Sequence, residues 1–309
     1  MARSNLQSLL RIWQKSTTIE KIFYIGVVII GIYVIGTFGN KTIENFEQST
    51  RFITKRGPEI YDDFYVSVYD DLLFSEFKND YEIGQIINRT SPTAQSNILD
   101  IGSGTGHHVG LLSQRGFKCQ GVDIAPAMVK QAQINYPDCK FSVGNVMKSI
   151  QFQPGQFTHI TCLYFTIYMI KDKRTFFQNC MSWLRPGGYL VLHLVNRDKF
   201  DPILPVADVL AKIDPQDYAD QRITSTKAAF DNHMYEANFE LKGDTALFKE
   251  KFIEKKGNGV RQNNHELYMP SQKEILAKAS AAGFILVSKS EMKKVGYNNQ
   301  FIYVLQKPQ

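Results

Sequence analysis

The sequence has few cysteines and no long block of charge of one sign. Four cysteines occur in 309 residues, and their positions lack the spacing of a metal-ligand set: Cys119, Cys139, Cys162 and Cys180. They fit buried thiols in a reducing compartment. The net charge of +6 is spread along the chain, without a basic run that could serve as a nucleic-acid arm. We therefore expect neither a metal site nor a nucleic-acid partner.

A charge-free apolar run occupies residues 22–38, and the uncharged stretch continues to Asn40. A spanning helix needs about 17–25 residues. A signal peptide would have a shorter leading segment, and a core helix would carry a polar face. We expect a single membrane anchor at about residues 22–40. Basic residues flank it equally and leave its orientation open. The reduced cysteines favour a cytosolic position for the rest of the chain.

A polar, helical linker is expected to follow at residues 42–94. Within it, Tyr61, Tyr65 and Tyr69 recur at every fourth position and therefore share one helical face. Two interpretations stay open. The tyrosines pack against the main domain, or they form a lid that contributes hydroxyl groups to a substrate pocket. The domain limits predicted in this way are 1–41 for the tail and anchor, 42–94 for the linker and 95–309 for the main domain.

An apolar run ending in Asp100 leads into three glycines at alternate positions, Gly102, Gly104 and Gly106. An amphipathic segment begins at His107. The pattern predicts a strand, a tight turn and a helix. Glycine is needed where the backbone takes positive φ or approaches a ligand closely. The helix N-terminus offers free N–H groups to a negative group. This stretch is the predicted site of a nucleoside-type cofactor.

Short apolar runs then alternate with helical patterns, which predicts an α/β fold with a doubly wound, mostly parallel sheet. The predicted strands are Lys118–Asp123, Lys140–Gly144, His159–Leu163 and Tyr189–Val195. In such sheets ligands bind at the carboxyl ends of the strands. Asp123 follows the glycine turn by about 20 residues, where an acid can accept both hydroxyls of a ribose.

The motif from Asp100 to Gly106, together with Asp123, resembles that of class I S-adenosylmethionine-dependent methyltransferases of the small-molecule type. A dinucleotide fingerprint would place its third glycine at His107. The resemblance covers residues 95–200 and resumes from Tyr268 to Leu305. It implies a Rossmann-like sheet of seven strands, closed by an antiparallel pair, and S-adenosylmethionine as cofactor. Asn145 stands where the family more often has aspartate. The implied cofactor-binding residues are Asp100, Gly102, Gly104, Gly106, Asp123, Ile124, Met128, Asn145, Val146 and Leu163.

The segment from about residue 200 to 267 is not needed by that fold. It contains strand-like runs at 227–241, 246–253 and 260–267, separated by turn signals at Gly243-Asp244 and at 257–259. We expect a small antiparallel sheet over the mouth of the crevice. Together with the tyrosine helix it would exclude water from the site.

The sequence says less about the methyl acceptor than about the fold or the cofactor. The expected acceptor is a small molecule with a nitrogen or oxygen nucleophile, because the chain lacks the Asn/Asp-Pro-Pro-aromatic signature of enzymes that methylate bases. Candidate bases are His193, His233 and His265, none of them in a recognisable motif, so the catalytic residue is left unknown. Candidate substrate residues are Tyr61, Tyr65, Tyr69, Tyr164, Tyr168 and His193.

Three functions remain in competition. The first is a membrane-tethered S-adenosylmethionine-dependent methyltransferase. The second is a non-catalytic module that keeps the cofactor fold as a scaffold at a membrane. The third is an NAD-dependent oxidoreductase, which the glycine spacing disfavours. The oligomeric state is left open.

Overall fold

Two β-sheets form the framework of the computed structural model, which describes residues 16–18, 20–21, 51–203, 216 and 219–309. The strands are β1 (Arg51–Arg56), β2 (Asn97–Ile101), β3 (Lys118–Asp123), β4 (Lys140–Val143), β5 (Phe157–Cys162), β6 (Leu184–Val195), β7 (Ser225–Ala229), β8 (His233–Lys242), β9 (Thr245–Glu254), β10 (Gly259–Tyr268), β11 (Ile285–Glu291) and β12 (Gln300–Gln306). The helices are α1 (Asp63–Leu73), α2 (Glu76–Thr90), α3 (His107–Gln114), α4 (Pro126–Asn135), α5 (Thr166–Met169), α6 (Lys173–Trp183) and α7 (Gln272–Ala281).

The larger sheet has seven strands in the order β11-β12-β6-β5-β2-β3-β4. Pairings from β6 to β4 are parallel, whereas β12 pairs antiparallel with both β6 and β11. The sheet is therefore mixed, which corrects the expectation of a mostly parallel sheet. The physical reason is the short link between β11 and β12, since a parallel pair needs a crossover of a dozen or more residues. The arrangement of sheet and helices is Rossmann-like.

The second sheet has five strands in the order β1-β10-β9-β8-β7. Two differences from expectation stand out. Residues 51–56 form a strand of this sheet, although a helical linker was expected there. The single strand expected at 227–241 is a hairpin of β7 and β8, in which the amide of Phe230 donates to the carbonyl of His233. Asp231 and Asn232 form its two-residue loop, and both residue types favour tight turns.

Side-chain caps fix where several helices begin. Asp62 accepts from the amide of Tyr65 at the start of α1, and Asp172 accepts from the amide of Thr175 at the start of α6. A side-chain oxygen at this position satisfies one of the free N–H groups of the first turn. The cap at Asp62 shows that Tyr61 precedes α1 rather than belonging to it.

Helix α1 joins the two sheets through buried side chains. Tyr65 and Leu72 from α1 pack with Tyr235 and Phe252 of the second sheet and with Met128 of α4. On the larger sheet, α6 contributes aromatic side chains to the main core, and α2 packs its isoleucines beside β2 and β12. This packing holds the tyrosine helix beside the carboxyl ends of the parallel strands.

The membrane-spanning helix expected as part of the fold is not supported. No helix among the described residues is long and apolar enough to cross a membrane. The predicted span, residues 22–40, itself lies outside the described residues.

Candidate functional site

The turn after β2 adopts the backbone that its glycines were expected to allow. Gly102, Gly104 and Gly106 have φ of +69°, +53° and +91°. A Cβ on Gly102 would lie 2.5 Å from the side chain of Thr166, so no larger residue fits there. The Gly102 amide donates to the carbonyl of Val122 over 2.8 Å, which ties the turn to β3. The result is exposed backbone at the carboxyl edge of the sheet, followed directly by the start of α3.

Asp123, at the end of β3, is hydrogen bonded to this turn. Its Oδ2 accepts from the amide of Gly104 over 3.0 Å, and its Oδ1 accepts from the amide of Ala125 over 2.9 Å. Burial raises the pKa of this carboxyl, while the backbone donors act in the opposite direction. Each oxygen retains a lone pair. Asp123 is therefore placed to accept hydrogen bonds from a ribose beside the turn.

Asp100 lies at the bottom of the cleft and is 3% exposed. Its Oδ1 accepts a hydrogen bond from the Thr161 hydroxyl over 2.6 Å. Burial raises its pKa to about 6, although His108 and Thr161 act in the opposite direction. A ligand ammonium group beside such a carboxyl would favour its ionised form. The α-amino group of an amino-acid ligand supplies that kind of charge.

The predicted cofactor residues separate into two sets. Asp100, Gly102, Gly104 and Leu163 line one cleft. Of the remaining residues, Asp123, Ile124 and Met128 lie at or after the end of β3. Asn145 and Val146 follow β4, and Gly106 closes the turn before α3. Ile124 is 46% exposed, as an apolar surface for a base would be, whereas Met128 is buried. The Asn145 Oδ1 accepts from the amide of Met147. The Val146 carbonyl accepts from the side chain of Asn179.

Helices α1 and α2 bring polar residues to or beside this cleft that the sequence did not predict. Asp70 accepts from the Thr105 hydroxyl over 2.7 Å and lies 3.1 Å from His107 Nε2, so it links the tyrosine helix to the glycine turn. Glu82 is fully buried and contacts Lys78 Nζ at 3.0 Å and His108 Nε2 at 2.7 Å. The i,i+4 spacing of Lys78 and Glu82 was a visible signal for their ion pair. No local pattern pointed to Asp70.

A second cavity adjoins the cleft and has a mainly aromatic lining. It encloses about 710 Å³, including its open mouth. Tyr69, Leu73, Tyr164, Phe165 and Met169 line both spaces. The shared wall places the aromatic cavity directly beside the cleft at the glycine turn.

The tyrosines predicted to form a lid lie at this second cavity. Tyr61, Tyr65 and Tyr69 line it, with ring centroids 5.4 and 6.0 Å apart in edge-to-face contacts. The Tyr61 hydroxyl donates to Met169 Sδ at 3.3 Å. Tyr164 has a left-handed φ of +50°, and Lys78 Nζ lies 4.7 Å from its ring centroid. Strained backbone of this kind concentrates at functional sites.

Two candidate substrate residues are not brought to either space. Tyr168 is fully buried, and its hydroxyl accepts from the amide of Val195 over 2.8 Å. His193 is also fully buried, with Nδ1 3.6 Å from Glu82 Oε1. Burial lowers the pKa of His193 to about 4, against the opposing charge of Glu82. Both act in the packing of the core: His193 lies on β6, and Tyr168 of α5 is hydrogen bonded to the last residue of that strand.

Within the described residues no group of three or more His, Cys, Asp or Glu side chains is arranged to hold a metal ion. The histidines that do cluster here pair with single carboxylates.

The family described as "Methyltransferase domain" matches residues 98–188. A ubiquinone biosynthesis O-methyltransferase from Paracidovorax citrulli is 26% identical over 135 residues, which are 41% of this chain and 56% of that protein. A second relative of the same name, from Xanthomonas euvesicatoria pv. vesicatoria, is 29% identical over 129 residues, 40% of this chain and 54% of that protein. The chain thus spans about half the length of these relatives.

Among solved structures, an S-adenosylmethionine-dependent methyltransferase from Clostridium acetobutylicum superposes with a TM-score of 0.60 and 15% identity. The match covers 80% of this chain and 99% of that one, and at this identity it shows the fold. The motif, the fold and the family match agree with one another. They confirm the predicted family and, with it, S-adenosylmethionine as the cofactor. The chain contains a class I S-adenosylmethionine-dependent methyltransferase domain.

Proposed function

We propose that the chain transfers a methyl group from S-adenosylmethionine to a nucleophile on a small molecule, with a hydroxyl favoured over an amine. The observation that carries this proposal is the adjacency of two spaces. The cleft at the glycine turn shares a wall with the aromatic cavity. One space suits a methyl donor and the other a methyl acceptor.

The residues of the cleft fit the cofactor. The glycines at 102, 104 and 106 leave backbone without Cβ atoms. Ser103, in the same turn, also lines the cleft. Asp100 would hold the amino group and Asp123 the ribose hydroxyls. S-adenosylmethionine supplies, when bound, a methyl group that is electrophilic because it is attached to a sulfonium.

The chain itself contributes positioning and the exclusion of water. Transfer of a methyl group is an in-line displacement, which depends on holding the nucleophile at attack distance. The wall formed by Tyr69, Tyr164 and Met169 separates the two ligands' spaces and sets their approach. The second sheet and α1 cover the acceptor cavity, which removes the water that would solvate the nucleophile.

A hydroxyl acceptor is favoured by the relatives, which are named O-methyltransferases of ubiquinone biosynthesis. The structural neighbours include an amino pentose methyltransferase from Micromonospora echinaspora, at 20% identity, a TM-score of 0.56 and coverage of 79% of this chain and 96% of that one. That likeness shows the fold alone, so an amine acceptor is the second candidate.

Isothermal titration of the full chain with S-adenosylmethionine tests the cofactor site. We expect binding that is weakened about 10- to 100-fold by Asp123→Ala, since a hydrogen bond to a charged group contributes about 1.5–3 kcal/mol. Asp138 is an exposed aspartate in the turn between α4 and β4, so Asp138→Ala is the matched control and should bind like the wild type. Failure of the wild type to bind, or tighter binding of NAD, would overturn the proposal.

Turnover distinguishes an enzyme from a binding module. With a panel of phenols, alcohols and amines, we expect S-adenosylhomocysteine to form with at least one hydroxyl compound. Cofactor binding without S-adenosylhomocysteine from any of them, or from a metabolite extract, would favour the non-catalytic alternative.

A further inference from the structure

The second sheet buries a carboxylate against the acceptor cavity. Glu250, on β9, is fully buried and accepts hydrogen bonds from four side chains. They are Tyr65 at 3.1 Å, Tyr235 at 2.8 Å, Asn263 at 3.3 Å and His265 Nε2 at 2.6 Å. The donors come from α1, β8 and β10. Glu250 therefore obtains its full set of hydrogen bonds only because α1 packs against the second sheet.

Glu250 is ionised despite its burial. Burial acts to raise its pKa, but the positive charge that His265 carries when it is protonated and the hydrogen bonds from His265, Tyr235 and Tyr65 outweigh burial, so the pKa is lowered. Burial raises the pKa of Tyr65 and of Tyr235 well above the ordinary value, so both phenols stay neutral donors. An ionised carboxylate therefore faces His265.

This contact fixes which tautomer the His265 ring adopts when it is neutral. A carboxylate accepts, so the neutral imidazole carries its proton on Nε2 and leaves the lone pair on Nδ1. His265 is 8% exposed and lines the aromatic cavity beside Tyr61, whose ring centroid lies 6.0 Å away. No described residue hydrogen bonds to Nδ1. A histidine whose second nitrogen is held by a buried carboxylate is an oriented general base.

We propose that His265, oriented by Glu250, accepts the proton of an acceptor hydroxyl in this cavity, and that the acceptor is a phenol-like hydroxyl on an aromatic or apolar body. The inference rests on the proposed function and adds the base and the substrate class to it. The lining supports the class, because Phe165, Phe200 and Phe239 surround the space with apolar rings. In this scheme His265 is a catalytic residue, and Glu250 is a positioning residue that acts through it.

The step balances without a further reactant. The acceptor O–H bond breaks and its proton moves to Nδ1 of His265. The oxygen lone pair forms the new O–CH₃ bond while the S–CH₃ bond breaks, and that electron pair stays on sulfur. The products are the methyl ether, S-adenosylhomocysteine and an imidazolium beside the Glu250 carboxylate. The imidazolium returns its proton to water when the product leaves.

4-Nitrophenol reports the proton transfer directly, because its phenolate absorbs visible light. The full chain, saturated with S-adenosylhomocysteine, is titrated with 4-nitrophenol between pH 5 and 9. The titratable groups facing His265 are Tyr61 and Tyr65 from the α1 side and Glu250 from β9. Burial raises the pKa of both tyrosines well above the ordinary value, so they stay neutral throughout. We expect bound 4-nitrophenol to ionise about one to two pH units lower in the wild type than in His265→Gln.

The variants are chosen to separate chemistry from folding. Gln at 265 can still donate to Glu250, so it preserves the buried hydrogen bond while removing the base. Glu250→Gln should lose most of the same shift. His233→Ala is the matched control, since His233 lies on the same sheet, stacks on Phe230 and lines neither space. It should retain the wild-type shift.

Equal ionisation of bound 4-nitrophenol in wild type and His265→Gln would overturn the proposal, as would absence of binding to the wild type at millimolar concentration. These outcomes differ from failure of the proposed function, which appears as failure to bind S-adenosylmethionine or S-adenosylhomocysteine at all.

Discussion

Replacement of Asp100 by asparagine should make the protein more stable at neutral pH while weakening its hold on the cofactor. Asp100 is buried, with the Thr161 hydroxyl as its hydrogen-bonding donor. Burial raises its pKa to about 6 from 3.8. Asparagine keeps an oxygen for Thr161 and carries no charge, so it removes the desolvation penalty without removing the bond.

The sign and size follow from linkage between protonation and folding. A carboxyl with a higher pKa in the folded state binds its proton more tightly there, so its contribution to stability falls as the pH rises from 3.8 to 6. The pKa of Asp100 differs by about 2.2 between the folded and unfolded states. Above pH 6 the ionised carboxyl therefore lowers the free energy of unfolding by about 3 kcal/mol. Asp100→Asn should recover up to that amount at pH 7.5 and nothing near pH 3.8.

Urea unfolding of the cofactor-free chain at several pH values measures this difference. The increase in the free energy of unfolding caused by Asp100→Asn should grow between pH 4 and 6 and then level off. Asp138→Asn, at an exposed site, should show no such gain. A gain independent of pH, or a loss of stability at pH 7.5, would refute the reasoning. Titration with S-adenosylmethionine should show weaker binding by the more stable variant, because the negative charge of Asp100 attracts the amino group of the cofactor although it destabilises the folded protein.

Three other variants test the glycine turn and the residues that support the cleft. Gly106→Ala should lose about 2 kcal/mol or more of stability, measured by urea unfolding, since φ is +91° and the new Cβ would lie 2.8 Å from a phenyl carbon. Asp70→Ala should weaken S-adenosylmethionine binding about tenfold by calorimetry, because it removes the acceptor for the Thr105 hydroxyl and with it the link between helix α1 and the glycine turn. Glu82→Gln should lower stability at pH 7 by about 3 kcal/mol, since Lys78 and His108 hold the pKa of Glu82 near 2 against burial, which raises it.

Each variant has its own control. Gly116→Ala has a similar φ of +85° and open space around it, so it should show the backbone strain without the clash. Equal losses at 106 and 116 would contradict the packing argument. Asp71 is exposed on the same helix as Asp70, so Asp71→Ala should bind the cofactor normally. The Glu82 loss should fade as the pH falls from 4.5 toward 2, where the wild-type carboxyl becomes protonated, and a loss that persists would point to packing instead.

Local chemistry explains why the backbone of the glycine turn and the position of Asp123 at a strand end could be predicted. Positive φ at Gly102, Gly104 and Gly106 and the carboxylate at Asp123 are properties of one short stretch and the next strand, and strand ends in a parallel sheet meet at one edge. The alternation of strands and helices could not predict that the sheet is mixed, because the direction of β12 depends on its pairing with β6, far away in the chain. Only the family resemblance implied the antiparallel pair.

The sequence by itself determined the glycine turn, the acid that follows it and the alternation that builds the sheet, because these depend on backbone sterics and short-range periodicity. Only the tertiary structure decided which polar residues meet. Asp70 reaches the glycine turn, and Glu250 gathers donors from α1, β8 and β10, through packing between segments up to 185 residues apart. Likewise, the burial of His193 and the exposure of His265 to the cavity are decided by which face of a strand meets the core, and no local pattern distinguished these two histidines.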